Sequence, residues 1–245
     1  MEIKIPGTKF NVLSKPSKMR VKVKDKLQQV YSFGLKAGTT CPGATYNPNH
    51  KCTICYAKKG HYLYPTSEES RSVRTTWTQE SMKTEAGRKA WIDVLKKAVH
   101  WATKNVQYFR NHHSGDYFSS AYVDAWHTVV EEFPEVKFWN PTSTYVEGAH
   151  PNAINRIEEM MPSLLDLASE PNVILRPSAR EVGLHKIIEV EGFAAGTGVI
   201  SRKELKEIEN LFGIEICPAK EQGNVCGECT TCWDRPLIGK YYPDH

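Results

Sequence analysis

Val136-Lys137-Phe138-Trp139, then Pro141-Thr142-Ser143-Thr144, then Asn152 to Ser169, then Val173-Ile174-Leu175-Arg176 reads as strand, loop, helix and strand. A strand that returns to a second strand through a helix is the unit of a parallel sheet, and this stretch decides the fold class. Pro162 marks a candidate break in that helix, because proline donates no backbone hydrogen bond. The alternation continues upstream. Val106-Gln107-Tyr108-Phe109-Arg110 is a strand, and Ser119 or Ser120 caps a helix carrying Tyr122, Trp126 and Val130 that stops before Pro134. Ser67 to Lys104 is helical, with Ala90, Trp91, Val94, Leu95, Ala98 and Trp101 at helical spacing. Val30 to Leu35 precedes it as the first strand. Downstream, the glycine-rich run Phe193 to Ile200 holds a fifth strand. Arg202 to Phe212 is an amphipathic helix, and Ile214-Glu215-Ile216 leads into Cys217.

The expected fold is α/β: a partial, open parallel (β/α) barrel of about six units. Residues 30–216 form that barrel, residues 1–29 a basic N-terminal arm or edge strand, and residues 217–245 a cysteine-rich C-terminal metal- or cluster-binding segment. In such folds chemistry sits at the carboxyl ends of the strands. Cys41, Ser114-Gly115-Asp116, Thr142-Ser143-Thr144, Arg176 with Ser178, and Cys217 all fall at those ends.

The chain has 245 residues with 24% charged and 40% hydrophobic side chains, a balance that excludes a disordered protein. No run of eighteen apolar residues is present, and Met1-Glu2-Ile3-Lys4-Ile5 lacks the core of a signal peptide, so no membrane partner is expected. The expected location is the cytoplasm, where thiols stay reduced. The formal charge of +4 is concentrated early, at Lys4, Lys15, Lys18, Arg20, Lys22, Lys24 and Lys26. That arm offers electrostatic contact to nucleic acid, but it lacks the interleaved aromatics of a stacking platform, and a solvated basic face is the plainer reading.

The chain carries 7 cysteines, placed as two groups. Cys41, Cys52 and Cys55 lie near the N-terminus; Cys217, Cys226, Cys229 and Cys232 lie near the C-terminus. An odd number in clustered pairs argues against a disulfide framework. Three plus four is the count for one metal centre with an open position and another closed by protein. Cys52-x2-Cys55 is a chelating turn shared by zinc knuckles and iron–sulfur sites, and His50 or His61 is available to complete a zinc set. Cys226-x2-Cys229-x2-Cys232 with a distant Cys217-Pro218 has ferredoxin-like spacing and favours a [4Fe–4S] cluster; zinc is the alternative there. His112 and His113, Arg176, Arg180 and the Gly192–Gly198 run are secondary candidates. Neither a G-x-S-x-G motif nor a Walker lysine is found, and no catalytic residue is assigned.

The run Cys52-x2-Cys55-Tyr56-Ala57 resembles the cluster loop of radical SAM enzymes. The wider set is similar to the phage family called gene product eighty-eight: Ser32-Phe33-Gly34-Leu35, Thr40-Cys41-Pro42-Gly43-Ala44-Thr45, Ser114-Gly115-Asp116-Tyr117-Phe118, Cys217-Pro218-Ala219 and Cys226-Gly227-x-Cys229-x2-Cys232-Trp233. The radical SAM resemblance implies that Cys41, Cys52 and Cys55 hold three irons of a [4Fe–4S] cluster and that S-adenosylmethionine chelates the fourth. It places Tyr56 beside the adenine and sets Ser114-Gly115-Asp116 where those enzymes bind the methionine amino group. The spacing departs from the family's C-x3-C-x2-C, being C-x10-C-x2-C from Cys41 to Cys55. Two functions follow as expectations. One is an iron–sulfur protein acting with an unknown substrate or electron donor; the other is a non-catalytic, zinc-stabilised phage protein that binds a host or phage macromolecule.

Overall fold

The computed structural model describes residues 2–42, 55–183, 188–200, 204 and 214–243. Among these residues, seven strands form one parallel sheet curled into a half-barrel. They are β3 (Tyr31–Ser32), β4 (Tyr108–Arg110), β5 (Lys137–Thr142), β6 (Val173–Val182), β7 (Thr197–Ile200), β8 (Ile214–Ile216) and β9 (Gly239–Pro243), in the order β3-β4-β5-β6-β7-β9-β8. A hairpin, β1 (Arg20–Val23) and β2 (Lys26–Gln29), stands apart from this sheet. Its two-residue turn puts Lys24 and Asp25 at φ 47° and 62°. Two left-handed residues in a row are what a tight hairpin turn requires, since that twist matches the strands.

Four long helices cover one face. They are α1 (Pro65–Ser81), α2 (Glu85–Ala102), α3 (Ser120–Glu131) and α4 (Pro151–Ser169). The single helical stretch expected over Ser67–Lys104 is two helices, because Thr84 adopts extended backbone and its side chain accepts from the Gly87 amide. Ser119 caps α3 in the same way, accepting from the Tyr122 amide. The break expected at Pro162 does not occur: α4 runs through it. Pro162 is on the exposed side of α4, where water can satisfy the carbonyl one turn back. The helix expected over Arg202–Phe212 falls almost entirely outside the described residues.

The pleat divides the core in two. Phe109, Phe138 and Leu175 point to the helices and meet Trp91, Trp126 and Leu164. Phe33 and Trp91 lie edge-on to Trp126 at 5.5 and 5.6 Å. On the opposite, inner face Trp139 joins Val21, Val30, Val106, Cys232 and Trp233. The cysteine-rich C-terminal segment enters the sheet. Its last strand, β9, hydrogen-bonds to both β7 and β8 inside the sheet, and a short helix α5 (Thr231–Asp234) packs against β5 and β6.

Candidate metal centre

Cys217 leaves the end of β8, its amide donating to the Tyr241 carbonyl at 2.9 Å. Cys226 and Gly227 are stitched to the N-terminal hairpin. The Cys226 amide donates to the Lys18 carbonyl and the Gly227 amide to the Arg20 carbonyl, while Lys22 donates back to Gly227. Gly227 sits at φ 58°, and a Cβ there would stand 1.9 Å from Gln222 Oε1. The Cys229 amide then closes a turn onto the Cys226 carbonyl at 3.0 Å. Cys232 lies in α5, which is anchored by its neighbour: Trp233 donates to the Phe109 carbonyl at 2.8 Å and meets Trp139 edge-on at 5.5 Å.

Two buried cations line this inner face. Lys240 of β9 is only 1% exposed. Its Nζ lies 3.2 Å from Glu215 Oε2 and 3.5 Å from Cys229 Sγ. Arg176 of β6 is fully buried and donates to the carbonyls of Ala195, Ile238, Thr231 and Arg235. Tyr242 completes the wall, with its hydroxyl 3.3 Å from Cys232 Sγ.

The four thiols feel one another. Burial pushes Cys226 up to about 12, and the neighbouring Cys232, Cys217 and Cys229 push the same way. Burial also raises Cys217 and Cys232. Cys229 is different: burial acts upward on it too, but contacts with Thr231 and the Lys240 ammonium outweigh this and lower its value. Without a cation, three of the four are therefore held as neutral thiols, and a metal would have to displace their protons. No three sulfurs lie within 4.8 Å of one another among the described residues. None of the six described cysteines is in a disulfide.

The N-terminal group is described only in part. Cys41 is half-buried beyond the end of β3, and Cys55 accepts the Lys58 amide where a short 3₁₀ turn begins at Tyr56. Cys52 lies outside the described residues. Ser114, Gly115 and Asp116 do follow β4 at the carboxyl edge. Ser114 Oγ donates to the Leu35 carbonyl at 2.7 Å. Gly115 has φ +74°, and a Cβ would meet Thr40 Oγ1 at 2.6 Å and Leu35 Cβ at 2.7 Å. Asp116 is buried, and its carboxylate accepts from the Tyr117 amide, the Thr142 hydroxyl and the Ser143 amide, joining the β4 loop to the β5 loop.

The secondary candidates take protein partners. His112 has φ 54° and contacts the Tyr122 hydroxyl at 2.9 Å; burial drives it down to about 3, a neutral imidazole. His113 contacts Ser32 Oγ at 2.9 Å and is likewise held neutral by burial. Arg180 donates to the carbonyls of Ser143, Tyr145 and Glu147 and lies over the Tyr145 ring. Sequence reasoning missed Lys240 and Tyr242. It also missed His127, Glu131 and Glu170, whose ligand atoms lie within 4.8 Å of one another and whose His127–Glu170 contact is 2.8 Å. The spacing of His127 and Glu131, one helical turn apart, is the signal that was there to read.

Comparisons place the chain among phage proteins. The family described as Gene product 88 matches residues 11–235. The Gene 88 protein of Mycobacterium phage L5 is 26% identical over 124 residues, which cover 51% of this chain and 49% of that protein. The matched part thus spans about half the length of that relative. No solved structure matches. No helix among the described residues is long and apolar enough to cross a membrane.

Proposed function

The chain belongs to the gene product 88 family, and from its cysteine pattern and the setting of those cysteines in the fold we propose that it is an iron–sulfur protein. It holds a [4Fe–4S] cluster on Cys217, Cys226, Cys229 and Cys232 at the inner face of the half-barrel. One observation carries the reading: thiols from two separate segments stand within electrostatic range of one another, with Lys240 and Arg176 buried beside them. Four thiolates on a cluster core of charge +2 leave about −2, which the two cations offset in part, Lys240 being shared with Glu215. A single zinc ion on the same four thiolates is the competing reading.

When bound, the cluster supplies one-electron chemistry. The chain's own residues exclude water through Trp139, Trp233 and Tyr242, and place the Lys240 ammonium against Cys229. By sequence pattern, Cys41, Cys52 and Cys55 are assigned to a second, three-thiol site in this reading, and its open iron would accept S-adenosylmethionine.

The test is iron, acid-labile sulfide and zinc per chain after purification without oxygen, for the wild type and for a Cys226→Ala/Cys229→Ala variant. About four iron and four sulfide per cluster are expected, with the variant losing only the C-terminal share. Zinc without sulfide would replace this reading with a structural zinc site. S-adenosylmethionine added to the reduced protein should alter its EPR spectrum; an unchanged spectrum would end the second part and leave the first.

A further inference from the structure

A cleft of about 390 Å³ lies at the β3 edge of the sheet, between the N-terminal segment and α1. That size is within the range of small-molecule sites, roughly 300–1,000 Å³. Its cations are Lys4, Lys9, Lys15, Arg71 and Arg74, and no carboxylate is among its lining residues. Two acids lie nearby: Glu2 pairs with Lys15 and accepts from Asn11 at the rim, and Glu68 pairs with Lys36 at 3.2 Å.

Two of these cations are built in rather than scattered on the surface. Arg74 is 1% exposed, and its Nη groups donate to Gly34 O, Asn11 O and Ser70 Oγ. Arg71 is 7% exposed, donates to the Tyr62 carbonyl and lies over the Tyr62 ring. Among the described residues neither forms a salt bridge with a carboxylate, and Nε of each has no hydrogen-bond partner. The two adjacent guanidiniums hydrogen-bond only to neutral groups and repel each other, with Glu68 offsetting part of the charge on Arg71, and an anion in the cleft would relieve the rest.

The start of α1 adds to this independently. Thr66, Ser67 and Ser70 from its first turns line the cleft. Its cap residue, Tyr64, offers no side-chain acceptor, and Pro65 follows it. The first turn of this helix, which also carries Glu68, therefore borders the same space as the arginines and brings the positive end of its dipole there. Phe10 and Tyr62 supply aromatic walls.

We propose that this cleft binds the phosphate of a nucleotide-sized ligand, with the phosphate at Arg71 and the α1 N-terminus and the base against Phe10 and Tyr62. The site is separate from the four-cysteine centre, so it stands whether or not a cluster is present. The experiment is calorimetric titration of the full chain with inorganic phosphate, AMP, ATP and a ten-nucleotide single strand, at two salt concentrations. AMP or ATP should bind more tightly than phosphate. Arg71→Met should weaken binding by about tenfold or more, the scale of one lost charge-assisted contact. Because Arg71 is buried, the exposed reversal Lys9→Glu is run beside it and should weaken binding too, with Lys220→Glu, outside the cleft, having no effect. Absence of nucleotide binding, or equal binding by wild type, Arg71→Met and Lys9→Glu, would overturn the proposal. Binding of the single strand alone, with a steep salt dependence, would overturn it in favour of a nucleic-acid groove.

Discussion

Lys240→Met should raise the pKa of the Cys229 thiol. The ammonium lies 3.5 Å from the sulfur. At that distance and an effective dielectric of about 20, a unit charge pair attracts by about 5 kcal/mol. Two features cut this down. Cys229 is only partly buried, so water screens the pair, and Glu215, 3.2 Å from the same ammonium, cancels part of its field. The attraction that survives is a fraction of that figure, and its loss moves the thiol upward. The substitution keeps the unbranched stem that β9 buries. Glu215 retains its contacts with Thr231 and Arg235, so the fold should persist. The assay is alkylation of the reduced, metal-free protein by iodoacetamide across pH, with the Cys229 peptide followed by mass spectrometry. The wild type should react at Cys229 first, and the variant only at higher pH. An unchanged midpoint would refute the placement of Lys240 as the counter-charge of this thiol.

The other three C-terminal thiols make the metal-free protein sensitive to alkali. Cys226 is pushed up to about 12, so its folded state holds the proton more tightly than an unfolded thiol near 8.5 does. That contribution is full below about 8.5 and is lost as pH rises toward 12. Urea unfolding from pH 8 to 11 should show declining stability, and Cys226→Ala should flatten the decline; parallel profiles would count against a buried Cys226. Gly115→Ala should cost about 1–3 kcal/mol, because a Cβ meets Thr40 and Leu35 below 3 Å at a left-handed φ. A thermal midpoint equal to wild type would show that the β4 loop does not pack on the β3 loop as described.

Much of the helical face was legible because its signals are local. Thr84 and Ser119 cap helices with their own side chains, and Trp91, Leu95 and Ala98 recur at one helical period. Strand order was not legible, since β9 enters between β7 and β8 and no short-range pattern encodes that position. Lys240 disguises β9 further, being a charged residue in a buried strand. The hairpin was missed for another reason: Lys24-Asp25 occupies left-handed positions where Asn-Gly would be the recognisable signal. At the site, cysteine spacing named the thiols, but not their counter-charges. Arg176, a secondary candidate in the sequence, donates to the carbonyls of Thr231, Arg235 and Ile238 around Cys232 and to that of Ala195.

That arrangement makes the site and the fold one problem. The segment bearing Cys226, Cys229 and Cys232 is held on one side by the N-terminal hairpin, through Lys18, Arg20 and Lys22, and on the other by β9. Trp233 ties it to the Phe109 carbonyl and Arg176 to β6. Each contact belongs to a different part of the chain, so the thiols converge only once the sheet has closed around them. A group bound there stabilises the assembled state and has no preformed site in the unfolded chain, which makes its binding energy part of the folding energy. The burial that raises three of the thiols works in the same direction. It penalises the empty, ionised site and favours a bound cation that takes the place of their protons.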